Sequence, residues 1–261
     1  MSGEDCFRWL DTVGENRFRI EIPAASPLFA GHFPGSPILP GIAHLAVVER
    51  ALGTPLTAVR SMKIRRPVAP GETLELSLGA PNGEGWTRFE IRRGEEMVSN
   101  GSVATGPGGA EWEETELPVL GELPILLPHA PPARLVLGVL EVSAAGIVCA
   151  AEVPPSHPLA VAGRVPALLG VEAAAQAAAV LEALARREEE PGPRIGYLVG
   201  VREARFAAPS LPTGRPFRVS ARLQGSAPPL SIYEIEVDRA VTGTVSTFLT
   251  GATRDDAIRG E

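Results

Sequence analysis

Apolar and polar residues alternate along two separate stretches of the chain, and each series follows one apolar helical run. In the first half the alternation covers 74–78, 87–92 and 99–105; in the second it covers 217–223, 231–237 and 243–249. A period of two places the apolar side chains on one face, which predicts antiparallel strands with one buried side. The preceding runs lack that period. Residues 165–181 carry no polar side chain except Glu172 and Gln176, the pattern of a helix buried on all sides. A second helical run opens at Pro40, a residue suited to the first turn of a helix because its missing N–H costs nothing there. One helix followed by a run of strands is an α+β arrangement, and here it occurs twice.

The two halves also share residues. At a shift of 142, Arg60 falls on Arg202, Lys63 on Arg205, Pro67 on Pro209 and Pro70 on Pro212, while Gly101-Ser102-Val103 falls on Gly243-Thr244-Val245. Pro40 and Pro166 correspond at a shorter shift, so the loops between must differ in length. An internal repeat of this kind predicts two tandem domains of one type. The join lies in a Gly-rich and then acidic stretch, 106–115, which sets the expected domains at 1–115 and 116–261.

Composition narrows the function classes. A length of 261 residues allows two small domains with real cores, and a net charge of −7 argues against a nucleic-acid binder. The segment Met1-Ser2-Gly3-Glu4-Asp5 has neither the basic start nor the apolar core of a signal peptide. No uncharged run is long enough to span a membrane, so the cytoplasm is the expected location. Cys6 and Cys149 are far apart and form no CxxC pair, which leaves metal and redox readings unsupported and predicts buried thiols.

The most informative segment is His32-Phe33-Pro34-Gly35-Ser36-Pro37-Ile38-Leu39-Pro40-Gly41. Its prolines and glycines impose an unusual backbone path beside a single histidine. The helix after it offers unpaired N–H groups and a positive dipole, suited to a thioester carbonyl and to the enolate formed from it. A nearby histidine could remove the proton next to that carbonyl. The motif resembles the signature of the 3-hydroxyacyl-ACP dehydratases of fatty-acid synthesis, and 65–72 is similar to that family's strand after the helix. The resemblance covers roughly 16–106. It implies a hotdog fold, one long helix wrapped by an antiparallel sheet, and hence a double hotdog for the whole chain. It also implies pairing of two hotdogs, with the histidine of one working beside an acid on the central helix of the other.

At the family's acid position, six residues past Pro40, this chain has Ala46. Glu49 and His44 lie nearby at the wrong spacing. Six residues past Pro166 stands Glu172, with Gln176 one turn on and on the same face. Burial of a carboxylate is costly without a partner and favours the protonated acid, the form that can release a hydroxyl as water. The opening Leu127-Pro128-His129 is similar to the way these dehydratases begin, and the stretch around Glu172 and Gln176 and 196–202 resemble the second dehydratase-like subunit of aryl polyene pathways, so the chain looks like the two subunits of such a pair fused. His157 stands near the place of the second loop histidine without the Phe-Pro-Gly that follows His32, and its counterpart across the pair is Ala46. One working and one decayed site are therefore expected.

The resemblance implies dehydration of a 3-hydroxyacyl thioester on an acyl carrier protein, with His32 as base and Glu172 as acid. Gly41 or Ala167 would supply the N–H for the carbonyl; Gln176, Phe33 and Pro40 would complete the substrate site. No cofactor or metal is implied. Arg60, Lys63, Arg65 and Arg66 form a basic cluster that could steer an acidic carrier. Two other readings stand beside this one: a hotdog thioesterase, and a non-catalytic acyl-thioester-binding protein. The choice of carrier, ACP or CoA, the acyl length and any oligomerisation beyond the internal pseudo-dimer stay open.

Overall fold

The computed structural model describes residues 6–12, 14–107, 109, 112, 117, 127–186 and 195–250. The expected boundary at 115 lies outside the described residues. The first half runs β1 (Arg8–Thr12), β2 (Arg17–Glu21), α1 (Ala43–Leu52), β3 (Leu56–Ile64), β4 (Thr73–Leu78), β5 (Trp86–Arg93) and β6 (Glu96–Thr105). The second runs β7 (Val136–Ser143), β8 (Gly146–Ala151), β9 (Arg164–Pro166), α2 (Leu169–Arg186), β10 (Gly196–Phe206), β11 (Ser210–Pro212), β12 (Phe217–Ala227), β13 (Leu230–Val237) and β14 (Val241–Leu249).

Twelve strands form one antiparallel sheet, in the order β1-β2-β4-β5-β6-β3-β10-β14-β13-β12-β8-β7. The two halves of that order are mirror images: β3 corresponds to β10, β6 to β14, β5 to β13 and β4 to β12. This is a double hotdog, and the faint repeat marks its pseudo-twofold. The two copies of the repeat pair with each other at the seam, with Arg60 opposite Glu203 and Lys63 opposite Gly200. The repeated glycines have a steric reason. A Cβ on Gly101 would meet Phe89 Cε1 at 2.9 Å, and one on Gly243 would meet the Glu203 carbonyl at 2.4 Å. In both halves the flanking strand presses on a bulge in the seam strand, between Arg60 and Lys63 and between Val201 and Glu203.

Each helix fills its own half of the sheet. In α1 the six consecutive residues from Ala43 to Val48 are all buried, so burial here is all-round rather than one-faced. Gly53 closes α1 in the left-handed conformation, its N–H returning to Glu49 and Arg50 carbonyls. In α2 the small residues Ala173, Ala174, Ala177 and Ala178 are fully buried and let the helix lie close on β8 and β12 to β14. Each buried Leu, Ile or Val contributes about 1.5–3 kcal/mol, so the continuous cluster through both halves ties the pair into one core. Both cysteines are buried, the Cys6 thiol facing the Pro158 carbonyl at 3.5 Å, and burial pushes Cys149 up to about 12.

Two local expectations are corrected. The stretch 65–72, read as strand, is the loop leaving β3; its prolines at 67 and 70 cannot donate to a ladder. Pro40 is not in the first turn of α1. The helix starts at Ala43, whose N–H bonds the Pro40 carbonyl across a separate turn.

Candidate active site

The loop carrying His32 is closed on itself. Ser26 Oγ accepts the Leu28 N–H and caps a short 3-10 turn, Pro27–Phe29. The Ile38 N–H then donates to the His32 carbonyl at 3.2 Å, while His32 Nδ1 lies 2.9 Å from the Ile38 carbonyl. A carbonyl only accepts, so Nδ1 carries a proton, and in the neutral ring Nε2 keeps its lone pair. The ring is thus held by its own loop in the tautomer a base needs.

Glu172 lies in the first turn of α2, 7% exposed. Gln176 holds it: Nε2 donates to Glu172 Oε1 at 3.1 Å and to the Ala133 carbonyl at 2.8 Å, while Oε1 accepts the Leu135 N–H at 2.8 Å. Every polar atom of that amide has a protein partner, which fixes its orientation. The i, i+4 spacing read from sequence is therefore a working hydrogen bond, anchored to the loop before β7.

That same loop delivers a residue the sequence reading mentioned without giving it a role. His129, 8% exposed, stands beside the other two. The ligating atoms of His32, His129 and Glu172 all lie within 4.8 Å of one another. His129 Nε2 is 3.8 Å from Glu172 Oε1, and its Nδ1 is buried with no hydrogen-bond partner among the described residues. The ring packs 4.8 Å from Phe33 and 5.2 Å from His32, centroid to centroid. Burial first, and then the neighbouring His32, lower its pKa to about 3, so it is neutral at ordinary pH. The only sequence signal was the Leu-Pro-His opening of the second half.

The two loops meet through their backbones. The Ala130 N–H donates to the Gly31 carbonyl at 3.0 Å. Gly31 has φ +79°, and a Cβ there would lie 2.0 Å from the Ala130 carbonyl oxygen; only glycine fits. Phe33 packs against Tyr197 of β10 at 5.8 Å, closing the site from the seam.

The remaining candidates separate. Among the described residues the Gly41 N–H has no acceptor, but the Ala167 N–H is spent on the Pro209 carbonyl at 3.1 Å. That corrects the expectation that either could receive a substrate oxygen. Glu49 accepts the Leu56 N–H and His44 bonds Ser99 within the first core; neither replaces the acid missing at Ala46. His157 Nδ1 accepts the Leu159 N–H, and burial lowers its pKa to about 4. A narrow cleft of about 20 Å³ connects His32 and Glu172 to His157 between Leu28, Ile42, Ala43, Leu159 and Leu169. In the basic cluster, Arg66 pairs with Glu96 and Arg65 bonds Asn100. Arg60 lies 4.1 Å over Trp86 and 3.8 Å from Glu84, which leaves Lys63 exposed and the cluster partly neutralised.

Two imidazoles and a carboxylate are a donor set that transition metals accept. A single ion with ligands at about 2.0–2.1 Å would require these atoms to sit about 3.4 Å apart, closer than their 4.8 Å spread allows without movement.

Comparison with known proteins agrees with the two-part construction. Residues 122–255, just over half of the chain, match the family model described as ApeP-like, ApeP dehydratase. The chain belongs to this ApeP-like dehydratase family. Residues 11–102 match the ApeI-like model, ApeI dehydratase. The ApeP-like half thus carries His129, Glu172 and Gln176, and the ApeI-like half carries His32. The 3-hydroxyacyl-[acyl-carrier-protein] dehydratase FabZ of Chlamydia trachomatis serovar L2 is 30% identical over 98 residues, covering 30% of this chain and 63% of that protein; the chain therefore spans less than two thirds of that relative. Among solved structures, the dehydratase domain of RzxB from Pseudomonas fluorescens superposes with a TM-score of 0.65 at 16% identity, covering 92% of this chain and 96% of that one. The dehydratase domain of PpsC from Mycobacterium tuberculosis gives 0.62 at 14%, covering 96% and 100%. At these identities the likeness establishes the double-hotdog fold. No helix among the described residues is long and apolar enough to cross a membrane.

Proposed function

We propose that the chain removes water from a 3-hydroxyacyl thioester to give the trans-2-enoyl thioester, at one composite site between its halves. The observation that carries this is the meeting of His32 and Glu172, from opposite halves, with ligating atoms within 4.8 Å. His32 Nε2 takes the α-proton, and Gly41 offers its N–H to the thioester oxygen on which charge develops. Glu172, in its protonated form, gives its proton to the 3-hydroxyl as the C–O bond breaks; the C–H electron pair becomes the new double bond and water leaves. His32 is then protonated and Glu172 ionised, close enough for the proton to return and reset the pair. The substrate is carried by an acyl carrier protein, steered by Lys63 and its arginine neighbours, and the reaction belongs in the cytoplasm, a compartment that keeps buried thiols such as Cys149 reduced.

The test is mass measurement of a 3-hydroxyacyl-ACP incubated with the protein, beside His32→Ala and Glu172→Gln. Loss of one water by the native chain, with each variant slowed by about a hundredfold or more, is expected. Release of free acid and thiol would establish a thioesterase instead. Binding of the thioester with no change of mass would establish an acyl-binding protein.

A further inference from the structure

Resting on the dehydratase reading, we infer that His129 is a positioning residue of this site, a hydrogen-bonding imidazole that orients the Glu172 carboxyl toward the substrate hydroxyl. Four observations converge on it. Its Nε2 faces Glu172 Oε1 at 3.8 Å, one small movement from a hydrogen bond. Its Nδ1 is buried without a partner among the described residues, a costly arrangement that points to function rather than packing. Its ring packs against both the His32 and Phe33 rings, at 5.2 and 4.8 Å. Its loop is bonded to the histidine loop through Ala130 and Gly31, so its position is set relative to His32 and not to Glu172 alone.

The chemistry explains why an imidazole serves there. Glu172 must be held in two states, as the acid before it gives its proton and as the anion afterwards. A neutral imidazole accepts from the acid through Nε2 when its proton is on Nδ1 and donates to the anion when its proton is on Nε2, so the ring changes tautomer as Glu172 changes state. Gln176 and His129 both face Oε1, and Gln176, as a donor there, suits only the anion. Because His129 resists protonation, it does not compete with His32 for the α-proton and does not become a cation that would pin Glu172 as its counter-ion. The role requires hydrogen bonding and shape, not titration, and this separates it from a second base and from simple packing.

Three substitutions distinguish those roles. His129→Gln keeps a donor and an acceptor without a titrating ring; it is expected to retain kcat within about fivefold and to leave the kcat–pH profile in place. His129→Phe keeps the ring and loses the hydrogen bond; kcat is expected to fall by about tenfold or more with KM within about twofold. His129→Ala should resemble the Phe variant. Native turnover by His129→Phe overturns the proposal in favour of packing. Loss of turnover by His129→Gln as severe as that of His32→Ala overturns it in favour of a base. A second measurement does not depend on turnover, so failure of the dehydratase reading is separable. In 15N-histidine NMR the His129 ring, assigned by the signal lost in His129→Gln, should stay neutral from pH 7.5 to 5 and change its tautomer-sensitive shifts in Glu172→Gln. An unresponsive ring overturns the coupling to Glu172 even in a protein that dehydrates its substrate; a responsive ring in a protein with no turnover overturns the dehydratase reading and leaves the coupling standing.

Discussion

Replacing Gly31 by alanine tests whether the site depends on the crossing of the two loops. Gly31 has φ +79°, which costs an L-residue about 1–2 kcal/mol. The new Cβ would lie 2.0 Å from the Ala130 carbonyl oxygen, where 3.0 Å is the practical limit, so the loops must part by about 1 Å. That movement also strains the Ala130 to Gly31 hydrogen bond, worth about 1 kcal/mol. Together these terms give a loss of about 2–3 kcal/mol in stability. The displacement falls between His32 and His129, next neighbours of Gly31 and Ala130 in the chain, and a misplacement of about 1 Å can slow a reaction about a hundredfold. Urea unfolding and steady-state dehydration would measure the two effects. Gly35→Ala is the control. Its φ is +82°, but a Cβ there meets nothing within 4 Å, so only the conformational cost of about 1–2 kcal/mol applies, with kcat within a few-fold of native. If Gly31→Ala and Gly35→Ala behave alike in both assays, the close approach of the loops does not control the site and the reasoning fails.

Gln176→Leu removes the hold on Glu172 and leaves the buried Leu135 N–H and Ala133 carbonyl unsatisfied; unfolding free energy should drop by about 3 kcal/mol, and an unchanged urea midpoint would contradict this. His44, His129 and His157 have pKa values lowered to about 4, 3 and 4 by burial. The unfolded chain therefore binds their protons first, near 6.5, so stability should be full above that pH and fall as pH drops from about 6.5 toward 4, by at most about 1.4 kcal/mol per unit for each histidine. His44→Gln should reduce that slope, and a midpoint independent of pH between 7 and 5 would refute it. Lys63→Glu should raise KM for an ACP-bound substrate several-fold and spare a small thioester analogue; equal effects on both would remove the carrier from the argument.

The residues that were legible in the sequence share one property: their meaning is local. The period-two stretches became β4 to β6 and β12 to β14 because alternation alone assigns a buried face. The apolar run 165–181 became most of α2, and its two polar residues kept their shared face as the Glu172–Gln176 bond. His32 announced itself through the prolines and glycines that shape its loop. Glu172 was found through the resemblance, by counting six residues from Pro166, although Pro166 ends β9 and α2 begins only at Leu169. Other features depend on which strands pair and which loops cross, and no local pattern encodes that. His129 joined the site because the loop before β7 lies against Gly31. Ala167 lost its N–H to Pro209 of a distant loop, and three of the four basic residues met Glu84, Glu96 and Asn100 on neighbouring segments. The sequence by itself determined two tandem α+β halves, because helix and strand periods and backbone-shaping residues act over a few positions, and the resemblance of its motifs added the hotdog fold and the expectation that His32 and Glu172 work together from opposite halves. Only the tertiary structure decided the third group at the site and the fate of each spare donor and charge, because those follow from packing one half of the chain against the other.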